Sequence, residues 1–121
     1  MGSLLLVEDD SGIARLVQLA LSVEAWDCRH ARTAQEGLAS LQVEPAELVI
    51  LDYTLPDMDG TKFLKVAREA GYDGPVLFLT ALGRNDPIVE TLSNIAGASV
   101  LLKPFDPAEL VDWVRNTLHA A

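Results

Sequence analysis

The chain has 121 residues, half of them apolar and 22% charged, which gives enough apolar surface for one core and too little length for two domains. Eighteen acidic against nine basic residues leave a net charge of −9. That balance argues against nucleic-acid binding by this chain, which would need a basic patch to displace counterions. No apolar run approaches the roughly 20 residues of a membrane span, no secretory signal opens the chain, and a lone Cys28 has no partner for an internal disulfide. A single cytoplasmic domain over residues 1–121 is the expectation.

The first predicted strand is Ser3 to Val7, ending on Glu8-Asp9-Asp10. A helix from Ser11 follows, with Ile13, Leu16, Val17, Ala20 and Leu21 at helical spacing. Asp10 or Ser11 serves as its cap. The second strand, Asp27 to His30, is polar and belongs near a sheet edge. Thr33 and Glu36 form a capping box for a helix bearing Ala34, Leu38 and Leu41. Leu48 to Leu51 is the third strand, running straight into Asp52. After the loop Thr54–Gly60, Asp59 or Gly60 starts a helix that turns Phe63, Leu64 and Ala67 inward.

Gly71 to Pro75 stops that helix and leads into the fourth strand, Val76 to Leu79, which ends on Thr80. A helix over Asn85 to Ile95 carries Ile88, Val89 and Leu92. Gly97-Ala98 turns into the fifth strand, Val100 to Leu102, ending on Lys103-Pro104. Asp106, Pro107 and Glu109 then open the last helix, with Val111, Val114 and Leu118 as its buried stripe.

Short apolar runs bounded by turn residues read as strands buried on both faces, the kind found in parallel sheets. Five strand–helix pairs with short connections therefore predict an α/β, doubly wound (βα)5 domain with helices on both sheet faces. Parallel strands deliver their C-terminal ends to one edge, so Glu8, Asp9, Asp52, Thr80 and Lys103 should meet there. Adjacent carboxylates repel by about 1 kcal/mol at 4 Å even in water. Either they are solvated capping groups, or Glu8 and Asp9 bind a hard cation such as Mg²⁺. Asp52 at the mouth of the core is either a turn cap or an ionised nucleophile that takes a phosphoryl group. Thr80 is either an ordinary strand residue or a hydrogen-bond donor to that group. Lys103 either extends into solvent or supplies neutralising charge in transfer.

The segments Leu5-Leu6-Val7-Glu8-Asp9-Asp10, Leu51 to Gly60, Phe78-Leu79-Thr80-Ala81 and Leu102-Lys103-Pro104-Phe105, in this order and spacing, resemble a receiver domain of the two-component response-regulator family. The resemblance spans essentially every element. It implies a flavodoxin-like five-stranded sheet of order 2-1-3-4-5. It also implies that Asp52 is the phospho-acceptor, charged by a sensor histidine kinase or phosphotransfer protein. Glu8, Asp9, the Asp52 side chain and the Thr54 carbonyl would bind Mg²⁺. Thr80, Lys103 and the Ala81 N–H would contact the phosphoryl group. Asp52, Thr80 and Lys103 would assist the domain's own phosphorylation and dephosphorylation without making it a turnover enzyme.

Departures from the family pattern lie on the output side. Val100 stands where such domains often carry an aromatic switch residue, Ser99 where an Asp is common, and the fourth helix holds no Lys or Arg. Arg115 is the remaining candidate for a cross-subunit salt bridge in a phosphorylation-dependent dimer. Thr54 and Leu82 stand at positions that tune phosphate lifetime in similar domains, and Trp113 lies off the buried stripe. Two other readings fit the same residues: a phosphorylation-independent receiver-like interaction module, and a small Mg²⁺-dependent aspartyl phosphatase. The phosphatase wants a second carboxylate two residues after the nucleophile, where Thr54 stands.

Overall fold

In the computed structural model, which describes residues 2–118, the elements alternate without exception: β1 (Ser3–Val7), α1 (Ser11–Ser22), β2 (Asp27–Ala31), α2 (Ala34–Val43), β3 (Leu48–Asp52), α3 (Gly60–Glu69), β4 (Val76–Thr80), α4 (Pro87–Ser93), β5 (Ala98–Leu102) and α5 (Pro107–Leu118). The strands form one parallel sheet in the order β2-β1-β3-β4-β5. The predicted class, topology and strand order hold.

Successive strand residues point to opposite faces, so each central strand feeds two cores. Leu5, Val7, Val49, Leu51, Val76 and Phe78 pack on Ala34, Phe63, Leu64, Ala67 and Leu92 from α2, α3 and α4. Leu4, Leu6, Leu48, Ile50, Leu77 and Leu79 pack on Ala14, Val17, Leu21, Leu110 and Val114 from α1 and α5. Continuous apolar runs, not alternating ones, are what two covered faces demand. Among the described residues no helix is long and apolar enough to cross a membrane.

Several boundaries differ from expectation. Asp86 accepts the Ile88 N–H and caps α4, which is confined to seven residues instead of starting at Asn85. Ile95 N–H donates to Leu92 O after the helix has closed on Asn94. β5 begins two residues before Val100, because Ala98 and Ser99 pair with Val76 and Leu77 despite their small size. Leu16, expected inside, is 40% exposed, since Ala14, Val17 and Leu21 fill the arc of α1 that meets the sheet. Leu110, not Val111, joins Val114 in the buried face of α5, while Val111, Trp113 and Leu118 pack at its margin.

Two residues govern how the layers meet, one by its side chain and one by lacking one. Arg29 on β2 donates to Ser40 Oγ, Ser3 Oγ and Glu44 O, stapling the sheet edge to the end of α2. Gly37 lets α2 approach the sheet: a Cβ there would stand 2.9 Å from Val7 Cγ2 and 3.0 Å from Phe63 Cε2, both in the core. A glycine-to-alanine change in a helix interior normally stabilises by about 1 kcal/mol. Here overpacking costs about 1–3 kcal/mol and outweighs it. Gly37→Ala should therefore lower the urea midpoint at unchanged slope; a raised midpoint would show that Phe63 yields freely.

Candidate functional site

The C-terminal ends of β1, β3, β4 and β5 converge at one edge, and each delivers a polar residue immediately beyond an apolar run. Glu8 is fully buried, Asp52 is 5% exposed and Thr80 is 1% exposed; among the described residues these are the buried polar side chains. One ligand oxygen from each of Glu8, Asp9 and Asp52 lies within 4.8 Å of the others. Asp9 is exposed, so the triad opens to solvent on its side.

Lys103 does not extend into solvent. Its Nζ stands 3.0 Å from Glu8 Oε1 and 3.3 Å from Asp52 Oδ2, with the side chain 15% exposed. The peptide bond from Lys103 to Pro104 is cis. Asp52 is thus held on both oxygens, because Thr54 N–H donates to its Oδ1 at 3.1 Å. Glu8 Oε2 accepts the Asp10 N–H. Glu8 Oε1, in contrast, is buried and has the ammonium at ion-pair distance without a well-aligned hydrogen bond.

One cation facing two buried carboxylates leaves a surplus negative charge. Burial, with Asp52 adding to it, pushes the Glu8 carboxyl up to about 7, against the opposing pull of Lys103 and the Asp10 N–H. Burial works against the Lys103 charge, but Glu8 and Asp52 overcome it and hold the ammonium above its ordinary value. Glu8 therefore keeps a proton where an ordinary carboxyl has lost it. A proton on Glu8 offsets this surplus, and a divalent cation beside the carboxylates would do the same. Carboxylate oxygens, one of them without an aligned donor, beside an open solvent side suit Mg²⁺, which takes one or two carboxylates and retains water. The residues present fit that ion.

The remaining expected residues fall around this centre. Thr80 Oγ1 accepts the Leu82 N–H at 3.1 Å, and Ala81 between them is exposed. Thr54 is exposed and forms an isolated bridge with Asp59 across its loop. Asp10, not Ser11, caps α1 by accepting the Ile13 N–H, which separates it in role from Glu8 and Asp9. Asp59 caps α3 through the Lys62 N–H.

Two neighbours were not anticipated. His30 Nε2 lies 2.7 Å from Glu8 O; since a carbonyl only accepts, that nitrogen donates. Asp57 accepts the N–H groups of Ala34 and Gln35 from across the edge. Neither has a local signal, because the partners are 22 and 23 residues away. On the output side, Val100 packs against the α2–α4 core, and Arg115 is engaged within the chain by Glu24 and Asp112.

Residues 4–115 match the family model of the response regulator receiver domain. Among relatives, the transcriptional regulatory protein PmrA of Pectobacterium parmentieri is 42% identical over 96% of this chain and 52% of its own length. The transcriptional regulatory protein TrcR of Mycobacterium tuberculosis is 34% identical over 95% of this chain and 44% of its own length. The chain spans about half the length of the curated relatives it matches. Among solved structures, a CheY-like receiver domain protein from Methanospirillum hungatei superposes with a TM-score of 0.87 at 29% identity, covering 98% of this chain and 94% of that one. The chemotaxis protein CheY4 of Vibrio cholerae gives 0.86 at 28% identity, covering 97% and 98%. The topology is thus the flavodoxin-like receiver fold, and the chain belongs to the response regulator receiver domain family.

Proposed function

We propose that this chain is the phosphoacceptor of a two-component phosphorelay in the cytoplasm, with Asp52 as the acceptor. The observation that carries the reading is the placement of Asp52: a buried carboxylate at the strand end, gripped by Lys103 and flanked by Glu8 and Asp9. A phosphohistidine on a sensor kinase or phosphotransfer protein is the donor. In the transfer an Asp52 oxygen attacks phosphorus, the P–N bond to imidazole breaks, and an acyl phosphate P–O bond forms. The imidazole leaves carrying the P–N electron pair and takes up a proton.

Each residue has a separable task. Glu8, Asp9, Asp52 and the Thr54 carbonyl would hold Mg²⁺, which when bound offsets the charge of phosphoryl oxygens. The Lys103 ammonium, already 3.3 Å from Asp52, balances a phosphoryl oxygen developing beside that carboxylate. Thr80 donates its hydroxyl proton to the group, with the Ala81 N–H beside it. The same residues assist hydrolysis, so the domain is a self-resetting switch and not a turnover enzyme. Thr54, an exposed neutral residue, lacks the carboxyl group that would serve as general acid to a leaving group, which disfavours an aspartyl phosphatase.

The output is proposed to be control of transcription through a partner or domain outside this chain, in keeping with the names of its relatives. Arg115 is committed to Glu24 and Asp112, so a symmetric dimer bridged through it would first have to break those pairs. Intact mass after incubation with acetyl phosphate tests the whole reading. A Mg²⁺-dependent gain of one phosphoryl group is expected in the wild type and its loss in Asp52→Asn at unchanged fold. No adduct in the wild type, under conditions that charge a control receiver, would favour a phosphorylation-independent interaction module. Retained labelling of Asp52→Asn would move the acceptor elsewhere.

A further inference from the structure

We propose that Asp57 is a positioning residue: it clamps the loop between β3 and α3 to the start of α2 and so sets where Thr54 and Asp52 stand. Both carboxylate oxygens are used, Oδ1 accepting the Ala34 N–H at 2.9 Å and Oδ2 the Gln35 N–H at 3.0 Å. Thr33 separately accepts the Glu36 N–H. The first three amides of α2, which have no partner within the helix, are thereby shared between a local cap and a side chain from another loop. The positive end of the helix favours an ionised carboxylate there. Consistently, these amides outweigh desolvation and hold the Asp57 carboxyl below its ordinary value.

The consequence for the loop differs from that for the helix. Gln35 is exposed, so water can replace the acceptor that Asp57 gives its N–H, and loss of the Asp57 carboxylate would open the N–H of buried Ala34 to the same replacement. Nothing in water can replace the tether. The ends of the loop are fixed by Gly60 N–H donating to Tyr53 O at 2.7 Å and by the Thr54–Asp59 bridge. Its middle is held by the burial of Leu55, the packing of half-buried Met58 and the two Asp57 bonds. That same loop carries the Thr54 N–H, which holds Asp52 Oδ1, and the Thr54 carbonyl assigned above to Mg²⁺. The clamp stands on the contacts alone; only its effect on Mg²⁺ rests on the phosphoacceptor reading.

Asp57→Ala, Asp57→Asn and Thr33→Ala separate the loop clamp from simple helix capping, since both residues cap α2 but Asp57 alone holds the loop. Amide hydrogen exchange is followed at Thr54 and Gly60, and Mg²⁺ affinity by direct titration with the metal alone. Asp57→Ala should speed exchange at Thr54 and weaken Mg²⁺ binding by about tenfold each, the scale of losing an outer support of a metal site. Asp57→Asn, which keeps one acceptor oxygen, should fall between. Thr33→Ala should stay within about twofold on both readouts while lowering stability by a comparable amount. Equal responses to Asp57→Ala and Thr33→Ala, or unchanged Thr54 exchange in Asp57→Ala, would overturn the proposal. If the wild type bound no Mg²⁺, the metal reading would fail and the exchange comparison alone would decide the role of Asp57.

Discussion

Replacing Lys103 by Ala is expected to slow phosphoryl uptake from acetyl phosphate by about two to three orders of magnitude, the usual cost of removing one preorganised group from a site of developing charge. Lys103 Nζ is the cation directly on Asp52, at 3.3 Å, and it is largely out of water, where its charge is least screened. Mg²⁺ binding should not fall in parallel. Deleting a positive charge beside the carboxylates relieves its repulsion of a second cation, so affinity should hold or rise. Stability should drop by less than the roughly 3–5 kcal/mol of breaking a fully buried pair, because Glu8 can answer by retaining its proton. Single-turnover uptake and a Mg²⁺ titration on the same variant check both halves. Equal losses in rate and in metal affinity would contradict the role given to Lys103.

The second large effect is a pH-dependent stabilisation by Mg²⁺. Glu8 titrates near 4.5 in the unfolded chain and about 7 in the fold, so the folded state binds the proton more tightly. Stability from this group is whole below pH 4.5 and is lost as pH rises toward 7. Mg²⁺ held at Glu8 would have to displace that proton, so its affinity should climb as pH rises toward 7. At a hundredfold excess over Kd a ligand adds about 2.7 kcal/mol, worth about 10 °C in Tm for a domain of this size. That shift is expected at pH 8 and should shrink markedly at pH 5.5. Calorimetry with and without Mg²⁺ measures it, and Glu8→Gln should flatten the dependence. A shift equal at both pH values would place the cation away from Glu8.

What the sequence disclosed followed from which contacts were local. Leu4–Val7, Leu48–Leu51 and Val76–Leu79 are apolar because both sheet faces are covered, and that pattern is visible without a partner. The parallel arrangement then brought Glu8, Asp9, Asp52 and Thr80 to one edge. Lys103 was legible as a candidate, but its inward course was not, since a Lys after a strand reads equally as a solvent group. Leu16 was misplaced because α1 carries more apolar positions than the sheet can cover. The α4 start shifted because Asp86 with Pro87 is a stronger cap than Asn85 offers. Arg29, His30 and Asp57 act on groups far away in sequence, so periodicity and capping rules carry no trace of them.

The hydroxyl of Thr80 also acts as a polarity filter. One of its lone pairs is already taken by the Leu82 N–H, and the group's remaining distinctive capacity is its single proton. A newcomer made only of acceptors, such as a phosphoryl or carboxyl oxygen, engages that proton while the backbone contact stays intact. A newcomer that presents N–H groups can use only the second lone pair and leaves that proton without an acceptor, so it gains less. Preference for acceptors over donors at this edge is therefore set partly by an uncharged side chain, in a way that ionic strength does not screen.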